Sequence, residues 1–266
     1  MSDFLRKSCI CKDLHSEIVG REIRILQQID STNLEATRMA RQGAAEGLVI
    51  LAESQSQGRG RSGRQWFSPP GCNIYLSVIL RPAIQPSKAP RLSLLAAVAA
   101  AQSCRETFDF LPQIKWPNDL LYKGKKFGGI LSEMNTVANR IGFVTLGIGI
   151  NVNATRSLFP PDLACNTTSI RDIVGQRVSR EHFLKSLLAE LDHWYRVLLR
   201  DGFSPVRDEW IRISALHGQR IRVRNGDSTL TGQALGLEGD GSLILQTVDG
   251  TVHRIMSGDI VLEASG

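Results

Sequence analysis

The rhythm of the chain changes near residue 218, and that change limits the architecture more than any other feature of the sequence. Up to about residue 215, strand-like and helix-like segments alternate, the pattern of a layered α/β fold. EIRILQQI at 22–29 reads as a strand. Ser31 then reads as the N-cap of a helix beginning TNLEATRMARQG, since a hydroxyl oxygen there accepts the first free amide protons, and Gly43 ends it. Residues 48–52 and NIYLSVIL at 73–80 are the next strands. Residues 92–108, rich in alanine and leucine and free of proline and glycine, predict a helix. FGGILSEM and RIGFVTLGIGINVN follow as glycine-punctuated strands. Over 180–200, Phe183, Leu187, Leu188, Leu191, Tyr195 and Leu198 recur at helical spacing and are most simply core. Beyond 218 the segments 220–223, 230–237, 243–247 and 253–256 are short strands. Asn225-Gly226, Gly239-Asp240-Gly241 and Asp249-Gly250 separate them as hairpin turns. The expectation is one large domain over 1–216 and a small barrel over 217–266 that leans on it, being too short for a core of its own.

Composition narrows the functional classes. In 266 residues the longest apolar run, 94–101, is far too short to span a bilayer, and MSDFLRKSCICKDL lacks the apolar stretch of a signal peptide, so the cytoplasm is the expected location. The five cysteines are odd in number and only Cys9 and Cys11 lie close together. With five scattered histidines and no HExxH or CxxC pairing, the thiols are expected to be buried or idle. The net charge of +6 invites a nucleic-acid reading, but basic residues are interleaved with acids except at one loop and at Lys123, Lys125 and Lys126.

That loop is GRGRSGR at 58–64. Its glycines let successive amides converge on an anion, and its arginines add permanently charged forks that suit phosphate. It lacks the Gly-Lys-Ser/Thr ending of a P-loop and the Rossmann spacing, so alone it does not choose among ATP, RNA and solvent. The glycines and mutually repelling arginines predict a segment that is mobile until an anion arrives. Gln55 precedes it, and Trp66 follows, placed either to stack on a base or to anchor the core. Lys115-Trp116-Pro117-Asn118-Asp119 forms a second constellation, in which proline interrupts a strand and exposes polar neighbours, unless Asn118 and Asp119 are turn formers only. Gly128 and Gly129 beside Lys126 suggest a ligand lying against backbone, and GIGINVN at 147–153 brings Asn151 and Asn153 to a strand end.

Ser31-Thr32-Asn33, AESQSQGRGRSGRQWFSPPG, KWPNDLLYKGKKFGGIL and GIGINVN occur in the order and spacing of the biotin protein ligases, and the resemblance runs over residues 22–262. It implies an α/β (α+β) fold: a mixed-sheet catalytic domain like that of class II aminoacyl-tRNA synthetases, with a small C-terminal SH3-like β-barrel. It implies ATP-dependent transfer of biotin, through biotinyl-5′-adenylate, to a lysine of the biotin carboxyl carrier domain of acetyl-CoA carboxylase. Magnesium arrives with ATP, with no dedicated protein-only site. Carried over position by position, Ser31, Thr32, Asn33, Gln55, Arg59, Gly60, Arg61, Lys126, Gly128 and Gly129 match biotin contacts. Arg64, Trp66, Asn118, Lys126 and Asn151 match nucleotide contacts, Trp66 as the ring that stacks on adenine. Lys126, Arg59, Arg61 and Asp119 carry the chemistry, Asp119 as the orienter of the incoming amine. No covalent enzyme intermediate is formed, which suits the lack of an activated serine or cysteine.

About twenty residues precede the first strand, fewer than a winged helix-turn-helix needs, so a monofunctional ligase with no specific DNA partner is expected. A monomer and a homodimer paired through a sheet edge both stay open. The nearest rival is a lipoate or octanoate transferase of the same fold; GRGRSGRQW favours biotin. A nucleic-acid-binding module is the rival of another class.

Overall fold

Two apolar faces are written into the central strands. In β3 (Ile74–Leu80), Ile74, Leu76, Val78 and Leu80 join the main core, while Tyr75, Ser77 and Ile79 face the other way. In β7 (Arg140–Ile150), Val144, Leu146, Ile148 and Ile150 take the core side, which leaves Phe143, Thr145, Gly147 and Gly149 on the opposite face. Strands buried on both faces need covers on both faces.

The computed structural model describes residues 4–226 and 228–262. Seven strands form one sheet in the order β1-β2-β3-β7-β6-β5-β4, with β1 (Ile23–Ile29) parallel to β2 (Val49–Gln55) and the other neighbours antiparallel. Its remaining strands are β4 (Gln113–Lys115), β5 (Asp119–Tyr122) and β6 (Lys125–Val137). Helices α3 (Pro90–Phe108), α6 (Arg180–Asp201) and α7 (Ser204–Ile213) cover the core face. Helix α2 (Thr32–Arg41) covers part of the other, packing Ala36, Met39 and Ala40 on Ile50, Ile79 and Phe143. Short helices α1 (Lys7–Cys11) and α5 (Ile170–Val174) add Ile10 and Ile170 to the main core, and α4 (Pro161–Ala164) borders the open face through Leu163. A second, antiparallel sheet holds β8 (Arg220–Asn225), β9 (Ser228–Leu237), β10 (Leu243–Thr247), β11 (Val252–Ile255) and β12 (Asp259–Leu262), in the order β11-β10-β9-β8-β12. Its Ile221, Val223, Leu243, Leu245 and Ile260 belong to the same buried cluster as α3, so the two sheets share one core.

Residues before the first strand, for which the sequence suggests no role, are built into the fold. Asp192 of α6 accepts hydrogen bonds from the amides of Glu17, Ile18 and Val19, and Glu53 accepts one from Leu5 while holding buried Arg180 at 2.9 Å. The helix α7, the strand β12 and the hairpin β4–β5 on either side of Pro117 are further additions to the sequence reading. None of the five cysteines is in a disulfide, but only Cys104 is fully buried, and burial pushes its thiol well above the ordinary range; Cys11 and Cys165 are exposed. Among the described residues no helix is long and apolar enough to cross a membrane, and no three His, Cys, Asp or Glu side chains converge to hold a metal.

Candidate functional site

The open part of the sheet face, beyond the N-terminus of α2, is the floor of a cavity of about 550 Å³. Small residues make it possible. A methyl on Gly147 would sit 2.1 Å from Asn33 Oδ1, and one on Gly149 would sit 2.5 Å from the Trp66 indole, so both side chains rest on bare backbone. Ser31 occupies the N-cap position of α2 but makes no capping hydrogen bond. Gln55 does that work instead: its Oε1 accepts from the Thr32 amide at 2.9 Å while its Nε2 donates to Ser68 Oγ at 2.9 Å. Asn33 donates to Glu133 Oε2 at 2.8 Å and accepts from Ser77 Oγ at 2.6 Å. This end of the cavity is neutral, polar and tightly oriented.

The other end is cationic. A bulge in β6 aims Lys126 into it: Leu121 pairs with Lys126 but Leu120 pairs with Gly128, which makes Phe127 the extra residue. Phe127 therefore enters the core, and Lys126 emerges on the same face as Gly129. Its ammonium lies 2.6 Å from Asp119 Oδ1 and 5.4 Å from the centre of the Trp66 ring. Lys115, Arg61, Arg64 and Arg224 line the same end.

The arginines of the loop at 58–64 are spread apart, each guanidinium meeting a different element. Arg59 pairs with Glu133 of β6 at 2.9 Å, Arg61 donates to Asn118 Oδ1 at 3.2 Å, and Arg64 pairs with Asp259 of β12. The Gly60 amide donates to Arg64 O at 2.7 Å, and Ser62 at φ 54° tightens a single 3-10 turn between them. Burial lowers the Arg61 pKa, which Asp119 and Asp259 partly offset.

Ser31, Thr32, Asn33, Gln55, Arg59, Gly60, Arg61, Arg64, Trp66, Asn118, Asp119, Lys126, Gly129 and Asn151 all line this one cavity. Gly128 is not among the lining residues; a methyl there would meet the Leu120 side chain at 2.8 Å, so its smallness serves packing between β5 and β6. Asn151 reaches the wall with its side chain already engaged, donating to Thr168 O at 3.2 Å and accepting from Asn73. Sequence reasoning missed Ser77, Glu133, Arg224 and Asp259. Ser77 had a signal, as a polar residue inside the apolar run IYLSVIL; the charged three carry no local signal.

Residues 25–151 match the Biotin/lipoate A/B protein ligase family, and residues 216–263 match the biotin protein ligase C-terminal domain. The bifunctional ligase/repressor BirA of Bacillus subtilis (strain 168) is 37% identical over 258 residues, 97% of this chain and 79% of that protein. The biotin–[acetyl-CoA-carboxylase] ligase of Paracoccus denitrificans is 34% identical over 232 residues, 84% of this chain and 93% of that protein. The biotin protein ligase from Aquifex aeolicus in complex with biotin and ATP has a TM-score of 0.77 against this structure at 25% identity, over 92% of this chain and 100% of that one. Four motifs distant in sequence meet at one cavity, and relatives match across both sheets: the chain belongs to the biotin protein ligases of the Biotin/lipoate A/B protein ligase family.

Proposed function

We propose that this protein attaches biotin to one lysine of the biotin carboxyl carrier domain of acetyl-CoA carboxylase, in two steps through biotinyl-5′-adenylate. The observation that carries the reading is the polarity of the cavity: oriented neutral hydrogen-bonding groups at the Asn33 end, and Lys126, Arg61, Arg64 and Arg224 at the other. A ligand with an uncharged polar head and a phosphate-bearing tail fits that division, and the volume is within the roughly 300–1,000 Å³ of small-molecule sites.

In the first step an oxygen of the biotin carboxylate attacks the α-phosphorus of MgATP, and the bond to the bridging oxygen breaks to release pyrophosphate. Lys126 lies where carboxylate and phosphate meet and offsets the repulsion between them, which grows toward the transition state. In the second step a neutral lysine amine attacks the acyl carbon, the acyl–oxygen bond breaks and AMP departs. Asp119, held against Lys126, orients the amine and takes up its proton. Ser31, Thr32, Asn33, Gln55, Gly60 and Gly129 hold biotin, Arg59 and Arg61 close the loop over it, and Arg64, Trp66, Asn118 and Asn151 hold the nucleotide. Magnesium enters on the triphosphate as part of the substrate. The catalytic part is residues 1–216 and the C-terminal part 217–266. The protein acts as a monomer or a homodimer; in a dimer the outer edge of β6, which beyond Ile130 pairs with no strand among the described residues, is the seam where two sheets join, and light scattering decides between the two.

Incubation with MgATP and either biotin or lipoate, followed by mass spectrometry, tests the reading. Biotinyl-adenylate is expected. Lipoyl-adenylate alone would transfer the assignment to lipoate, and no adenylate from either acid would remove both.

A further inference from the structure

Glu133 lies outside every motif that carries the family resemblance, yet its carboxylate joins the arginine loop to the neutral end of the cavity. By the period of two along β6 it shares a face with Gly129 and Leu131, and it stands opposite Thr145 of β7. One carboxylate oxygen is 2.9 Å from Arg59 Nη1 and the other is 2.8 Å from Asn33 Nδ2. Asn33 is buried, and its carboxamide is almost fully used: the second amide proton goes to Leu131 O at 3.3 Å, and Oδ1 accepts from Ser77. What remains is one lone pair on Oδ1. Glu133 therefore fixes the amide with its oxygen presented as an acceptor, the polarity that a ureido N–H requires. Turning the carboxamide over would set oxygen against oxygen at both Glu133 and Leu131, neither of which can donate, whereas the Ser77 hydroxyl accepts as readily as it donates.

Resting on the reading of this cavity as a biotin site, we propose that Glu133 is a positioning residue that makes seating of the loop and orientation of Asn33 a single event. Arg59 then serves as the tether of the loop, its charge balanced at the biotin end and turned away from the phosphate end. Glutamine cannot replace the carboxylate, because it has one acceptor oxygen for two donors and brings amide protons against one of them.

The test is Glu133→Gln in the full chain, with biotin titrated by calorimetry and with ATP–pyrophosphate exchange run at varied biotin and varied ATP. Biotin Kd and biotin KM should rise roughly 10–100-fold, the range for losing a hydrogen bond to a charged group. At saturating biotin, kcat and the ATP KM should stay within about twofold, since the lost contact is made equally in ground and transition states. Amides of residues 58–64 should exchange faster than in the wild type. Arg59→Gln should weaken biotin binding less, and the double variant should be no worse than Glu133→Gln alone within about twofold, because the two residues act in one chain of contacts. Glu133→Asp, which keeps the charge but is too short to reach both partners, should shift biotin KM in the same direction and serves if the glutamine variant does not fold. Wild-type biotin affinity in Glu133→Gln, or single losses that multiply in the double variant, would overturn the inference and leave the ligase assignment standing. A wild-type protein that binds no biotin would remove both.

Discussion

Gly147 and Gly149 are two residues apart on β7 and share a face, but a methyl on each meets a different neighbour. At 147 it would strike Asn33 Oδ1 at 2.1 Å, and at 149 it would strike the Trp66 indole at 2.5 Å. Neither neighbour can give way cheaply, since Asn33 is fixed by Ser77 and Glu133 and the indole is a rigid bicycle. Gly147→Ala should therefore raise the biotin KM with little change in that of ATP, and Gly149→Ala should do the reverse. Exchange kinetics with each substrate varied in turn give both constants. A pair of variants that disturb the same substrate would contradict the division of the cavity into two ends. Lys126 makes the sharper single-residue case. Replacing it with alanine removes a charge beside two anions and should lower exchange by about 10²–10³, or ~2–4 kcal/mol in the transition state. Lys123, exposed at a turn with its ammonium over the Tyr122 ring, supplies the control, and Lys123→Ala should exchange at the wild-type rate. Equal rates for all three proteins would mean that Lys126 is a solvated lysine like its neighbour.

Elements with a strong period or a clear punctuation were legible in the sequence. The helices α3 and α6 and the strands β1, β2, β3, β6 and β7 read correctly because alanine-rich, 3.6-residue or glycine-punctuated patterns leave few alternatives. What could not be read is set by pairing between distant strands. Strict alternation puts Lys126 and Gly129 on opposite faces; only the bulge against β5 brings them together, and no local pattern announces it. Glu133 looks like an ordinary strand residue, and Asp259 lies beyond the last strand the sequence suggests, until the fold delivers Arg59 and Arg64 to them. Helix α6 carries a conflict of the same hidden kind. Glu190 donates nothing and accepts from Trp194 Nε1 at 3.0 Å, while burial and the nearby Glu106 raise its pKa; Arg105 opposes that shift and Glu209 adds to it. An acid whose folded pKa is raised binds more protons in the native state than in the unfolded one. Its penalty is absent below the unfolded value of about 4.3 and grows as pH rises through the folded value. Glu190→Gln keeps the acceptor for Trp194 and removes the charge, so it should raise Tm at pH 7 and leave Tm unchanged near pH 4 or below. Thermal scans at the two pH values check it. A gain of equal size at both would point to packing in place of ionisation.

At the scale of the whole molecule, the C-terminal sheet is part of the cavity and of the core at once. Trp116 Nε1 donates to Gly241 O at 3.1 Å, Arg91 donates to Gly239 O, and Ile260 and Val223 are buried with the first sheet. Deleting this sheet would strip that shared core, so its influence on the site is better tested by a point change. Asp259 supplies one, because it holds Arg64 at the far end of the arginine loop. Both side chains are more than half exposed, 67% and 59%, so the pair contributes little to global stability, on the order of 0–1 kcal/mol. Its effect should instead be local. With Asp259→Ala the loop keeps Arg59 on Glu133 and Arg61 on Asn118 but loses its only described contact of this type with the second sheet. Amides of residues 60–65 should then exchange up to about fivefold faster, the most that a surface pair of that strength can protect, with Tm almost unmoved. Asp240→Ala is the control for a general loosening of that sheet: it breaks the ion pair with Arg254 and the hydrogen bonds from Ser242, and does not touch the loop. If biotinyl-adenylate orders the loop by itself, the difference between Asp259→Ala and wild type should vanish once it is bound. Faster exchange in Asp240→Ala to the same degree would show a general loosening of the second sheet, and the view of Asp259 as a specific anchor would have to be given up.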